Sequence, residues 1–464
     1  MIRTLLLAFA VVCLAAPASA QWEFANVFPP DTLQTDGNGM HGIAVDPDGK
    51  VWLQPFGATD SVAVAELGGT FQPVRVVSVF NADGTEASFS PIKFVDYADG
   101  TTPRDTLGGF VTRNDADELI WEGRSGRGLR ADSDGNILVS AFNTLFKLDY
   151  ETGEGLARAD FPDYCALGQA GVDNLGNVYT VPVCPGQPVQ IYDTDLNFLG
   201  NVSDAASNFS RSITASGDGL RVYETNFENT YTIIHERPDI FSEFDSVGVA
   251  FRGMRTESAA IHPVTNNVWV SSGNPLNLPN QDPEADRTWL SNTWYEFDQD
   301  DLSTPLDSLR WAGCENFDAG GVCLDTPGRP RGIAFTQDGD IAYVAAFSAD
   351  DISPGSNAEK FINMSVDIEP NEAGTPERFA IAQNYPNPFS RSTRIDLDLP
   401  EAGHVVLRVY DVQGREVAVL VDEMLTAQSY TVSFEAEGLA PGTYVYVLEV
   451  NGQRVSSNKM QLVR

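Results

Sequence analysis

Lysine is scarce in this chain. Five lysines (Lys50, Lys93, Lys147, Lys360 and Lys459) stand among 29 basic residues, against 65 aspartates and glutamates. A formal charge of −36 excludes a nucleic-acid binder, which needs a basic face to neutralise phosphates. The acids are scattered, so this is no acidic tail on a neutral protein. Molar salt screens the repulsion of such a surface, which points to a high-salt habitat; an acidic exported protein of ordinary medium is the alternative. Histidine is rarer still, with His41, His235, His262 and His404 set apart from the cysteines, and no C-x-x-C pair occurs. Those two absences remove the usual zinc patterns. Nor does any stretch reach the roughly 18 apolar residues of a membrane-spanning helix.

What is present begins with an export signal. Residues 1–20 hold one arginine, the apolar run Leu5–Ala16 and then Ala18-Ser19-Ala20, an A-x-A cleavage site. Cleavage is expected between Ala20 and Gln21. Cys165, Cys184, Cys314 and Cys323 remain, an even count that favours two disulfides in an exported chain, with three connectivities open. Cys165 and Cys184 leave the open ends of one hairpin opposite each other. Cys314 and Cys323 flank a glycine-containing stretch able to fold back, so these two local pairings are favoured over crossed ones.

A strand–turn–strand pattern then recurs. HGIAVDPDGKVWL (41–53), RGLRADSDGNILV (127–139), GQAGVDNLGNVYT (168–180), RSITASGDGLRVY (211–223) and RGIAFTQDGDIAYV (331–344) each read as a β-hairpin, with weaker copies at 257–270 and 91–101. The turns fall at Gly49, Gly100, Gly135, Gly176, Gly219, Asn266 and Gly339, mostly at the roughly 40–50-residue spacing of a four-stranded propeller blade. The expectation over 21–350 is an all-β propeller of seven blades, with six left open because the Gly100 copy is degenerate. This wording resembles propellers of the NHL and virginiamycin-lyase-like groups. The resemblance implies fold rather than activity. Those lyases carry a late histidine-rich segment, whereas here no histidine lies between His262 and His404.

Residues 351–377 read as a linker rich in Pro, Gly, Asn and acids. Beyond it, 378–464 show dense alternation, with turns at Gln413-Gly414 and Asn451-Gly452, as in a small Ig-like β-sandwich. This segment is similar to the type A C-terminal sorting domain of the type IX secretion system. The residues that carry the likeness are Asn384, Tyr385, Pro386, Asn387, Pro388 and Phe389 of NYPNPFS, then Gly414 in 405–422, Gly442 in 438–450 and Lys459 in the closing NKMQLVR. The resemblance implies recognition by the outer-membrane translocon, with release to the medium or attachment to surface lipopolysaccharide.

Aligned hairpins put His41, Arg127, Gly168, Arg211, Glu257 and Arg331 at one equivalent position, the entry to each innermost strand. Guanidinium forks suit carboxylate, sulfate or phosphate, which makes this channel mouth the candidate binding site. The competing reading is that the arginines pair with acids of adjacent blades and staple the ring. No nucleophile–base pairing is legible, so a binding or adhesion module for anionic glycans or organic acids is favoured. A propeller enzyme (lyase, lactonase or glycan-active hydrolase) and a structural envelope protein are the rivals. No cofactor is called for; the Asp-rich turns DPDG (46–49), DSDGN (132–136) and DQDD (298–301) invite calcium but lack its full ligand series. Trp52 and Trp269 share a second-strand position that suits packing between blades, and 272–292 reads as a long loop over the mouth.

Overall fold

The computed structural model describes residues 22–29, 39–97, 99–273, 285, 289–311, 329–347, 358–363, 368–371, 378–389, 392–427, 429–436 and 439–463. The expected signal peptide, Gln21, Cys314, Cys323 and most of the 272–292 loop lie outside them. The chain divides into two compact units at Asn363/Met364.

The first unit is a ring of six sheets among the described residues, numbered here by their innermost strands. Blade 1 begins with Met40–Val45, blade 2 with Gly126–Ala131, blade 3 with Gly171–Val172, blade 4 with Ser210–Ala215, blade 5 with Ala259–Ile261 and blade 6 with Arg329–Phe335. The closure of the ring is visible in its apolar packing. Each innermost hairpin alternates, so neighbouring residues face opposite neighbours and every gap between blades holds its own core. Leu129 and Val139 of blade 2 pack with Ala44 and Trp52 of blade 1, while Leu138 packs with Tyr192 of blade 3. Blades 3 and 4 share Tyr179 and Ile213, and blades 4 and 5 share Tyr223 and Val268. Trp269 meets Ile333 between blades 5 and 6; Tyr343 meets Ile43 between blades 6 and 1. Six such layers complete a circle, and Trp52 and Trp269 are interblade packing, as expected.

Of the two counts left open, the described sheets make six rather than the favoured seven. The hairpin around Gly100 has too few apolar flanks to make an inner pair, and only Phe94–Val95 and Asp105–Thr106 zip up there. That length elaborates blade 1, whose inner sheet is three-stranded, with the hairpin Asp60–Val64/Thr70–Val74 packed through Val62, Val64, Val74 and Val76 beside it. The closing blade also departs from the expected boundary at 350. Its third strand is Ala358–Asn363, inside the stretch read as linker, and its outermost strand is Trp22–Phe28 from the other end of the unit.

The second unit is a β-sandwich of two four-stranded antiparallel sheets around one core. Ile395, Leu397, Val432 and Phe434 of one sheet face Leu407, Val409, Tyr446 and Leu448 of the other. Its first strand, Ile368–Asn371, again falls within the expected linker. Asn451 and Gly452 both take positive φ, 50° and 76°, the geometry an Asn-Gly hairpin demands.

Candidate functional site

Four of the aligned entry residues share one backbone device. His41, Arg127, Arg211 and Arg331 each occupy a β-bulge at the start of an innermost strand, between Met40/Gly42, Gly126/Gly128, Ser210/Ser212 and Pro330/Gly332. A bulged residue has no cross-strand partner, and its side chain is re-aimed out of the sheet's alternation. Here the bulges recur at equivalent places in blades 1, 2, 4 and 6. In blade 3 the position is Gly168, where an added Cβ would meet the Arg211 carbonyl at 2.6 Å, so only glycine fits. In blade 5 it is Glu257, whose N–H donates to Ser271 Oγ at 3.0 Å.

The bulged residues converge. Arg331, Arg127 and Arg211 all act on His41, joined by Arg329, which the sequence reading did not single out. Burial, then these four cations, hold His41 well below the ordinary histidine range, so the imidazole is neutral. Arg331 Nη1 meets Glu257 Oε2 at 2.7 Å in a sealed pair, and burial pushes Arg331 down to about 9. Arg127, pushed to about 10 by burial and by Arg211 and Arg75, has no acid partner among the described residues. Among the described residues, the buried Nε atoms of Arg127, Arg211, Arg329 and Arg331 find no hydrogen-bond acceptor.

Phenylalanines line the arginines. Arg127 lies over Phe56 at 5.4 Å, Arg211 and Arg329 over Phe227 at 5.0 and 4.7 Å, and Arg331 over Phe347 at 5.3 Å. The His41 ring packs on Phe56 and Phe347 at 5.1 and 5.5 Å. Phe56, Phe227 and Phe347 all sit where a second hairpin strand returns to the mouth. The ring quadrupoles offset part of the cost of burying the cations while leaving guanidinium edges able to donate. This phenylalanine repeat was legible in the sequence, in VWLQPF, RVYETNF and IAYVAAF.

The Asp-rich turns are self-satisfied. Asp46 accepts from the backbone of Asp48 and Lys50 and from Trp52 Nε1 at 2.9 Å. Asp132 accepts from Asp134 and Asn136 backbone and pairs with Lys147 at 2.8 Å. Asp173 does the same with Leu175, Asn177 and the Tyr179 hydroxyl. These are turn-stabilising carboxylates, and among the described residues no cluster of three or more His, Cys, Asp or Glu side chains has metal-site geometry.

Cys165 and Cys184 are bonded, with Cα atoms 6.0 Å apart. The blade 3 hairpin runs on through the Leu167–Pro182 bridge to bring them opposite each other. The second cysteine pair lies outside the described residues.

In the C-terminal unit the sorting motif is anchored at its two ends, Asn384 and Phe389, which are buried. Asn384 is buried, receiving Tyr446 as acceptor of its N–H at 2.8 Å and donating from Nδ2 to Thr393 Oγ1 at 2.9 Å. Phe389 enters the core, and Asn387 Oδ1 accepts the Gln461 N–H at 2.9 Å. The Lys459 carbonyl accepts from Gln383 at 2.7 Å. Pro386 and Pro388 shape the loop, Gly414 takes the positive φ of its turn, and Gly442 opens the strand Gly442–Val450. Between the buried ends, Tyr385, Pro386, Asn387 and Pro388 are exposed, Tyr385 at 82%.

Residues 383–462 match the family described as the secretion system C-terminal sorting domain. No curated protein matches the chain. Among solved structures, a chain of the mitotic checkpoint complex is 12% identical at a TM-score of 0.40, covering 78% of this chain and 99% of its own. A protein of unknown function from Bacteroides caccae is 12% identical at a TM-score of 0.35, covering 51% of this chain and 78% of its own. The propeller assignment rests on the strand pairings themselves. The 383–462 segment belongs to the type IX secretion sorting domains, and the protein is exported to the cell surface or the extracellular space.

Proposed function

We propose that the exported propeller is a binding protein whose channel mouth takes carboxylated or sulfated ligands, either glycans or organic acids. The observation that carries this is a charge imbalance. Arg127, Arg211, Arg329 and Arg331 gather around neutral His41 with the Glu257 carboxylate against Arg331. On a chain of charge −36, a desolvated excess of cations that keeps Nε donors unused is poised for an anion. Among the described residues Arg331 is the member of the group with an ion pair, to Glu257. The sorting domain would hand the protein to the type IX translocon and then to surface lipopolysaccharide or the medium.

The test is binding of polygalacturonate and dextran sulfate, with neutral dextran as control. Binding should weaken with salt, and Arg211→Ala should reduce affinity by about tenfold, the scale of one charge-assisted hydrogen bond. Equal retention of dextran and the anionic polymers, or an unchanged Arg211→Ala variant, would return the mouth to a structural role.

A further inference from the structure

A second feature lies at the other end of the channel, where the innermost hairpins turn. A cavity of about 440 Å³ opens there, lined from all six blades. At its floor is Arg130. In the aligned hairpins this position is Ala44, Gly171, Thr214, Ala260 and Ala334 in the other blades, so one long side chain enters the space that five small ones leave. Arg130 starts in blade 2 and crosses to the opposite side of the ring. Its Nη2 donates to the Ala259 carbonyl of blade 5 at 2.6 Å and its Nε to the Ala170 carbonyl of blade 3 at 3.3 Å. The guanidinium thus reaches across the ring between blades 3 and 5.

Arg130 has no carboxylate in ion-pair range among the described residues. The acids nearest the cavity are engaged elsewhere. Asp132 is paired with Lys147, Asp173 is held by its turn amides and Tyr179, and Asp218 accepts from Ser216 Oγ and the Leu220 N–H. Burial lowers Arg130 to about 10, which leaves it fully charged at neutral pH. Two backbone carbonyls satisfy its donors in part, but they do not neutralise it, and a deeply placed cation without a counter-charge is costly. Above it the walls offer Asn174, Asn266 and Gln337 amides, suited to hydroxyl groups.

We infer that this funnel is a binding site for a hydroxylated monocarboxylate of monosaccharide size, its carboxylate seated on Arg130. One cation at the floor calls for one carboxylate, and the acids nearer the rim disfavour a second. The site is separate from the arginine mouth, and neither depends on the other.

The probes are D-glucuronate and, as the uncharged counterpart, D-glucose, titrated calorimetrically into the full secreted chain. Glucuronate should bind at least tenfold more tightly than glucose. Arg130→Gln should lose that preference, whereas Arg211→Ala, at the far mouth, should keep it. Because Arg130→Gln removes a cross-channel strut, Gln337→Trp provides a second arm: it narrows the rim from an exposed turn and should weaken glucuronate tenfold with the melting temperature unchanged. Equal binding of glucose and glucuronate would overturn the assignment. So would undiminished glucuronate binding in Gln337→Trp, which would reduce Arg130 to a strut, or loss in Arg211→Ala, which would move the ligand to the other mouth.

Discussion

Arg331 and Glu257 form a 2.7 Å ion pair between the last blade and the one before it, with both side chains nearly sealed from solvent. Arg211 feels the same carboxylate. Glu257 thus holds together cations that would otherwise repel one another.

Glu257→Gln should therefore have two opposed effects. Removing one partner of a buried pair should destabilise the protein by about 3–5 kcal/mol. The same change removes the acid that competes with an incoming anion, so polygalacturonate should bind more tightly. Denaturant melts and titrations measure both. A variant that is destabilised and also binds more weakly would contradict the reading.

His41 gives a pH signature. Its protonation in the folded protein is held well below the ordinary value of 6.5 by burial and the surrounding arginines. As pH falls below 6.5 the unfolded chain takes up a proton that the folded one refuses, so stability is lost on acidification, by up to about 1.4 kcal/mol per pH unit. His262 is shifted in the same direction, by burial, and contributes with the same sign. Between pH 7 and 5 the melting temperature of His41→Gln should fall less steeply than that of the wild type. Parallel curves would refute the placement of His41 among the arginines.

The net charge of −36 predicts a marked response to salt. Screening shortens from about 10 Å at 0.1 M to about 3 Å at 1 M, so repulsion among the scattered acids should fade over that range. The melting temperature should rise by several degrees in sodium chloride. A flat profile would remove the high-salt habitat.

The Cys165–Cys184 bridge closes a short loop, with a sequence separation of 19. By the chain-entropy argument it stabilises by roughly 3 kcal/mol. The double variant Cys165→Ser/Cys184→Ser should melt lower by a corresponding amount yet still form the ring, whose interblade cores do not include these residues. Non-reducing peptide maps of the secreted protein should contain the joined peptide, and its absence would reject the pairing.

Much of this was legible because the innermost hairpins repeat. The alignment that put His41, Arg127, Arg211, Glu257 and Arg331 in one column is the alignment the backbone realises, and the Cys165–Cys184 pairing followed from the same register. The blade count was not legible. A glycine turn marks a hairpin equally well in a blade or in an insertion, and the two are separated only by which gap between blades the apolar residues fill. Arg329 was passed over because it stands two residues before an aligned arginine, outside the repeated column. Arg130 was hidden by the opposite bias: it was inside the column, at a place where small residues are the rule. The Asp-rich turns were ambiguous because backbone amides and a calcium ion ask the same thing of a carboxylate.

The pairing of Trp22–Phe28 with Ala358–Asn363 sets the order of events during biogenesis. The first strand made is the last to find its place. Until residue 363 has been synthesised and delivered, the ring stays unlatched, with Phe24 and Val27 on a waiting strand and non-local closure still to come. The sorting segment at 383–462 follows the latch in the chain. A chain cut short before the latch is complete therefore also lacks its export address. A truncated chain that cannot close its ring is thus also one without the segment that marks the protein for export.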